Sequence, residues 1–217
     1  VRTSMKHFTM CEACEAEYND PMSRRYHAEP ISCPQCGPSL TFTDNLGNPI
    51  EGDPIESAIR MLQEGKIIAL KGLGGFHLMC SAISDAAVEE LRRRKHRRGK
   101  PLAVMFRTLE QVREYAYVTD DEAVLIGGNI KPIVVVTAKA DTELSKHIAP
   151  EIGRIGVFLP YTPLHRLIFE SIDFPLVATS ANVSDEPIIV RREEIVRRLG
   201  NVVDGILDHD RSIVNAL

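Results

Sequence analysis

The 217-residue chain has no tryptophan, and aromatic residues make up only 6% of it. Its core must therefore be built from Ile, Leu, Val and Ala, the side chains that commonly fill α/β layers. No stretch approaches the ~18 uninterrupted apolar residues of a membrane-spanning helix, and the opening "VRTSMKHF" lacks the apolar run of a secretory signal, so a cytoplasmic location is expected. A broad basic excess is missing too. The formal net charge of -4 argues against a general nucleic-acid coat, because such proteins spread cations over a wide face. The chain begins with Val rather than Met and ends on "SIVNAL" without a polar tail, so a piece of a longer protein is expected.

What is present divides in two. The first 40 or so residues are rich in Cys, Pro, Glu and Tyr and show little apolar periodicity. Regular patterns begin at Asp53, after the turn-rich connector "DNLGNPIEGDP" (44–54), which predicts a small module over 1–45 and a larger domain over 46–217. Asp53 as N-cap, Pro54 at the first helical position, Glu56 at the capping-box position and Gly65 as the stop predict a helix over 53–65. "KIIAL" (66–70) reads as a strand, "KGLGGFHLMC" (71–80) as a Gly-rich loop, and Ser84 or Asp85 to about Lys95 as a helix. Strands are predicted at 101–106, 132–138, 154–160 and 175–180, and helices at 108–116, 119–127, 162–171 and 192–200. The alternation indicates an α/β architecture.

Five cysteines stand at 11, 14, 33, 36 and 80. "CEAC" (11–14) and "CPQC" (33–36) form two C-x2-C pairs, a spacing that suits tetrahedral Zn²⁺ on Cys11, Cys14, Cys33 and Cys36. A segment this poor in apolar residues needs such a staple. Two disulfides in a secreted module are the alternative, and the absence of a signal segment opposes it. His27 is read as packing or surface, and Cys80 as a buried small hydrophobe. The Gly-rich stretch fails as a Walker loop, and His77 stands where a dinucleotide fingerprint needs its third glycine. Gly74 and Gly75 would still permit close backbone approach to a ligand.

"RRRKHRRGK" (92–100) gathers seven Lys or Arg side chains into nine positions. A helix C-terminus gains about 0.3–1 kcal/mol from each well-placed cation, and two or three satisfy it. The excess calls for a polyanion, either a triphosphate or a nucleic-acid backbone, gripped by Arg as a fork and by Lys as a point charge. "TSANVSDEP" (179–187) adds the hydroxyls of Ser180 and Ser184 and the amide of Asn182 directly after a strand, where open α/β sheets place ligands.

With these residues in place the whole chain resembles the HypF family of hydrogenase-maturation carbamoyltransferases, specifically its second zinc-finger motif followed by its YrdC-like domain. The motifs are "MCEACEAEYNDPMSRRYHAEPISCPQCGP" (10–38), "KGLGGFHLMC", "RRKHRRGKPLAVM" (93–105), "GVFLPYTPLH" (156–165) and "TSANVSDEPI" (179–188). The resemblance implies a YrdC-like twisted sheet with flanking helices, preceded by the four-cysteine knuckle with a structural zinc. It further implies ATP, with Mg²⁺, and formation of carbamoyl-adenylate from carbamate. In that family an acylphosphatase-like domain supplies the carbamate from carbamoyl phosphate. A further domain passes the carbamoyl group to HypE, for the cyanide ligands of NiFe-hydrogenase. Lys95, Arg97 and Lys100 would hold the ATP phosphates, Lys95 and Arg97 being the catalytic pair, and Ser180 and Asn182 would complete the cradle. Lys71 and His77 are candidates for carbamate or adenylate contacts, with packing as the alternative. The threonylcarbamoyl-adenylate synthases of tRNA modification share the basic and "TSAN" motifs and form the rival enzyme reading. An RNA-binding module is the rival outside enzymes.

Overall fold

In the computed structural model, which describes residues 3–30, 32–150, 152–183 and 186–214, a nine-stranded twisted sheet carries helices on both faces. The elements in chain order are α1 (Glu12–Asn19), β1 (Leu40–Asp44), α2 (Pro54–Gln63), β2 (Ile68–Lys71), β3 (Phe76–Ser81), α3 (Asp85–Arg94), β4 (Ala103–Met105) and α4 (Leu109–Tyr115). Then follow β5 (Ala116–Tyr117), α5 (Asp120–Gly127), β6 (Val134–Ala138), β7 (Arg154–Phe158), α6 (Pro163–Ser171), β8 (Leu176–Ser180), α7 (Arg192–Leu199) and β9 (Gly205–His209). The strand order is β1-β9-β2-β3-β8-β4-β7-β6-β5.

Local signals place the helices. Asp53 accepts from the N–H groups of Ile55 and Glu56 at the start of α2. The hydroxyls of Ser84, Thr108 and Thr162 cap α3, α4 and α6, and the reciprocal capping box closes at Thr119 and Glu122. Each cap satisfies donors that the first helical turn leaves without a partner.

The twisted α/β sheet with flanking helices is as expected, and its pairing is mixed. Only β2·β9 and β4·β7 run parallel among the described strands. One antiparallel pair comes from the Gly-rich stretch, whose second half is strand β3, not loop. Gly72 and Gly75 bond backbone to backbone and fold β3 back antiparallel on β2. Strand β1 pairs with β9 from Leu40↔His209 to Asp44↔Gly205. The residues just before the connector therefore form an edge strand of the sheet.

Two apolar clusters fill the faces. One packs Val88 and Leu91 of α3 and Ile195 and Leu199 of α7 on Ala69, Leu78 and Val104. The other packs Leu62 of α2 and Ile168 and Phe169 of α6 on Ile68, Leu70, Met79 and Met105. Alternate residues of a strand face opposite sides, so these clusters divide β2, β3 and β4 residue by residue. Helices α2 and α6 leave part of the second face uncovered toward β6, where Ile133 and Val135 are exposed. That gap positions the site.

Candidate functional site

The uncovered face forms a cavity of about 630 Å³. Its floor is apolar, with Ala103, Phe158, Ala178 and Ile133, and its rim is polar, with Arg97, Lys100, Ser180 and Asn182. The rim exists because α3 ends abruptly. His96 takes a left-handed conformation (φ 52). The N–H of Arg97 then bonds back to the carbonyl of Arg92, and that of His96 to the carbonyl of Arg93. This is the Schellman arrangement, usually built on glycine. It turns the chain so that the residues after the helix run past the end of β8.

The seven basic side chains divide by role. Arg92 is 8% exposed and gives its guanidinium to five carbonyls, those of His147, Arg97, Arg98, Lys100 and Ile148. Arg93 and Arg94 pair with Glu90, and Arg94 also reaches Asp204 and the carbonyl of Val202. These three are structural. Lys95 instead donates to the carbonyl of Ser180 and to Asn182 Oδ1 at 3.2 Å. Ser180 Oγ donates to the same Oδ1 at 2.8 Å. Asn182 Nδ2 donates to the carbonyl of Glu186 at 2.9 Å, which fixes the amide's orientation. Arg97 donates to the carbonyl of Pro101 at 2.8 Å and to Thr179 Oγ1 at 3.4 Å.

Arg97, Lys100, Ser180 and Asn182 thus meet at one end of the cavity, and Lys95 stands directly behind Ser180 and Asn182, bonded to both. Burial, helped by Arg97 and Lys100, pushes the Lys95 ammonium down to about 8, and burial lowers Arg97. The rim carboxylate of Glu186 pairs with Arg198. None of these three cations has a carboxylate partner among the described residues, and an anion entering the rim would relieve their repulsion. Ser184 and Asp185 of the same turn lie outside the described residues.

His77 lies deeper, on β3, in register with Ser180. Burial lowers its pKa, and Tyr161 Oη sits 3.3 Å from its ring nitrogens. Lys71 does not join this group. Its cross-strand partner is Phe76, one residue from His77, so the pleat directs it to the other face of the sheet. There it pairs with Asp208 Oδ1 at 3.0 Å and donates to the carbonyl of His209 at 2.7 Å, beside a separate cavity of about 1110 Å³.

Tyr161, Lys131 and Ile133 line the 630 Å³ cavity although the sequence reading did not single them out. Tyr161 stands inside a quoted motif, "GVFLPYTPLH", so a signal for it was there. Lys131 and Ile133 flank Pro132 ahead of β6 and carry no motif.

The four N-terminal cysteines form a second centre. Their sulfurs all lie within 4.8 Å of one another, with Cys11 and Cys33 4.0 Å apart. Tetrahedral Zn–S bonds of about 2.3 Å imply S···S separations of about 3.8 Å, so the cluster fits zinc with little adjustment, and all four cysteines are free thiols. The backbone amides of Cys36 and Gln35 lower Cys33 to about 6, whereas burial raises Cys14 to about 12 in the cluster without a metal. Cys80 is fully buried in the core, where burial raises its thiol to about 12.

The sheet and the finger each match a known family. Residues 60–217 match the family described as telomere recombination, Sua5/YciO/YrdC, and the chain belongs to it. Residues 10–43 match the HypF finger, which narrows the membership to the HypF arrangement of finger plus sheet. Carbamoyltransferase HypF of Rhodobacter capsulatus is 43% identical over 217 residues, covering 100% of this chain and 29% of that protein. The crystal structure of full-length HypF in its phosphate- and nucleotide-bound form superposes with a TM-score of 0.93 at 47% identity, covering 99% of this chain and 28% of that one. Human threonylcarbamoyl-AMP synthase is 27% identical over 157 residues, 70% of this chain and 56% of that protein. The chain therefore spans about a third of the length of the HypF proteins it matches, from 29% to 35% of the curated relatives.

Proposed function

We propose that this chain is the adenylating portion of a HypF-type carbamoyltransferase, forming carbamoyl-adenylate from ATP and carbamate. The observation that carries the reading is the rim, where Arg97 and Lys100, backed by Lys95 on Ser180 and Asn182, stand without carboxylate partners among the described residues. The apolar floor of Ala103, Phe158 and Ile133 takes the adenine face. A carbamate oxygen attacks the α-phosphorus, the new O–P bond forms as the bond to the β-phosphate breaks, and pyrophosphate leaves. Lys95 and Arg97 hold the α- and β-phosphate oxygens and stabilise the charge that grows on the leaving group, and no side-chain nucleophile is needed. Mg²⁺ enters as the counter-ion of the triphosphate.

The knuckle is a zinc-bound docking surface, since four thiolates leave no open coordination position. The knuckle ahead of β1 forms one unit and the sheet domain the other, the boundary falling before Leu40 rather than at 45, since β1 pairs with β9. In the full-length protein an acylphosphatase-like domain supplies carbamate and another domain delivers the carbamoyl group to HypE, in the cytoplasm. No helix among the described residues is long and apolar enough to cross a membrane.

The RNA-binding reading is weakened because Arg92, Arg93 and Arg94 are already engaged within the fold. Isothermal titration with MgATP and with a single-stranded RNA tests the choice. Tight ATP binding that Lys95→Ala and Arg97→Ala both abolish, with the fold retained, supports the pocket. RNA binding that falls steeply with salt, without an ATP signal, overturns it.

A further inference from the structure

His165 is the third residue of α6, and its N–H is held by the Thr162 cap at 3.1 Å. Its side chain is buried, with the residue 1% exposed, yet neither ring nitrogen has a hydrogen-bond partner among the described residues. Leaving a buried donor or acceptor unpaired costs about 1–3 kcal/mol each, and apolar replacement at such a position is often neutral or stabilising. Packing alone therefore gives no reason for an imidazole here.

Two rings that carry polar atoms stand beside it. The His77 ring stacks 6.2 Å from that of His165 at an interplanar angle of 29°, and the Tyr161 ring meets it edge-on at 4.8 Å. Tyr161 Oη is itself 3.3 Å from His77. Gly72 packs its backbone closely on one side of the His77 ring, where a Cβ would stand 3.3 Å from the imidazole Cε1. Burial, with His77 adding to it, pushes His165 down to about 3, so at neutral pH it has one N–H to donate and one nitrogen to accept.

We propose that His165 is a positioning residue: through a bridging water shared with Tyr161 it fixes which nitrogen of His77 carries the proton, and so fixes the hydrogen-bonding group that His77 presents to the carbamate. The three side chains supply the two to four polar partners that a buried water requires. A neutral imidazole with one fixed tautomer offers the pocket a defined acceptor or donor. Carbamate carries both N–H donors and carboxylate acceptors, so that choice sets which end of it faces His77 and with it the oxygen presented for attack. His165 does not touch the substrate; it acts through His77. The inference rests on the carbamoyl-adenylate reading only for the identity of the small substrate.

The test compares wild type with His165→Leu, which fills the space without polar atoms, and with His165→Asn, which retains a donor and an acceptor. Long-range ¹H–¹⁵N correlation of the His77 ring nitrogens reads the tautomer directly. Wild type is expected to show one tautomer, His165→Leu a mixture, and His165→Asn a partial return. With carbamate-dependent pyrophosphate release as the assay, His165→Leu should raise KM for carbamate about tenfold, the loss of one neutral hydrogen bond, and leave KM for ATP unchanged. An unchanged His77 tautomer in the folded Leu and Asn variants overturns the proposal, as does an equal rise in both KM values. If wild type releases no pyrophosphate with carbamate, the reaction reading fails by itself, and the tautomer comparison still decides the role of His165.

Discussion

Replacing Arg92 by Met should unfold the basic turn although Arg92 touches no ligand. The guanidinium holds two segments together, giving hydrogen bonds to the carbonyls of His147 and Ile148 at 2.5 and 3.0 Å and to those of Arg97, Arg98 and Lys100 at 3.0, 3.2 and 3.3 Å. Methionine keeps much of the aliphatic stem and removes every donor. Charge-assisted bonds contribute about 1.5–3 kcal/mol each, but the five share one cation and some of the released carbonyls regain water, so they do not add. A loss of about 3–5 kcal/mol is expected, a fall in melting temperature of roughly 10 °C for a chain of this size. Arg93→Met is the control, because Arg93 lies on the surface with 70% of its side chain exposed and one partner, Glu90; it should cost under about 1 kcal/mol. Urea unfolding of the three proteins gives both numbers, and titration with ATP below the transition should show about tenfold weaker binding for Arg92→Met, since the strand entry at 97–101 goes slack. A loss below about 1 kcal/mol for Arg92→Met, or equal losses at Arg92 and Arg93, would refute the division of the basic stretch into structural and ligand-facing cations.

Other expectations follow from single features. Lys95 is depressed to about 8, so the ligand-free protein sheds that charge above pH 8 while a bound phosphate favours the charged form; binding then takes up a proton, and calorimetric ATP affinity should fall as pH rises through 8. Lys95→Arg should flatten that dependence. His96 occupies a left-handed position at the end of α3, and His96→Gly should raise stability in urea by about 0.5–1 kcal/mol, the relief of the side-chain strain less the entropy cost of glycine; a loss would contradict the role given to the turn. Purified protein should hold one zinc per chain, and a chelator should increase hydrogen exchange in the knuckle while leaving β2, β3 and β8 protected; exchange spreading through the sheet would mean that the two units fold together.

The cysteine spacing was legible because a zinc site needs little more than four thiols at short range, and the structure brings those four together. Lys95, Arg97, Ser180 and Asn182 were legible as a group for a similar reason, each lying at or just beyond the end of a helix or a strand. Arg92 was not separable from its neighbours in sequence. Seven adjacent cations look alike, and which of them is internal depends on carbonyls near 147, more than fifty residues away. Lys71 and His77 looked equivalent as members of one Gly-rich stretch, but the hairpin turned by Gly72 and Gly75 sends them to opposite faces of the sheet. The same hairpin hid β3, since glycines that signal a loop here make a tight return between two buried strands. The antiparallel pairings and the contributions of Lys131 and Tyr161 to the cavity arise from long-range register, which no local pattern encodes.

The most direct measurement of the central claim is ATP-dependent pyrophosphate release by the purified chain with Mg²⁺, run in parallel with carbamoyl phosphate plus a separate acylphosphatase and with bicarbonate plus threonine. Release with the carbamate source alone is the predicted result. Release with bicarbonate and threonine alone would contradict it and assign the chain to threonylcarbamoyl-adenylate synthesis.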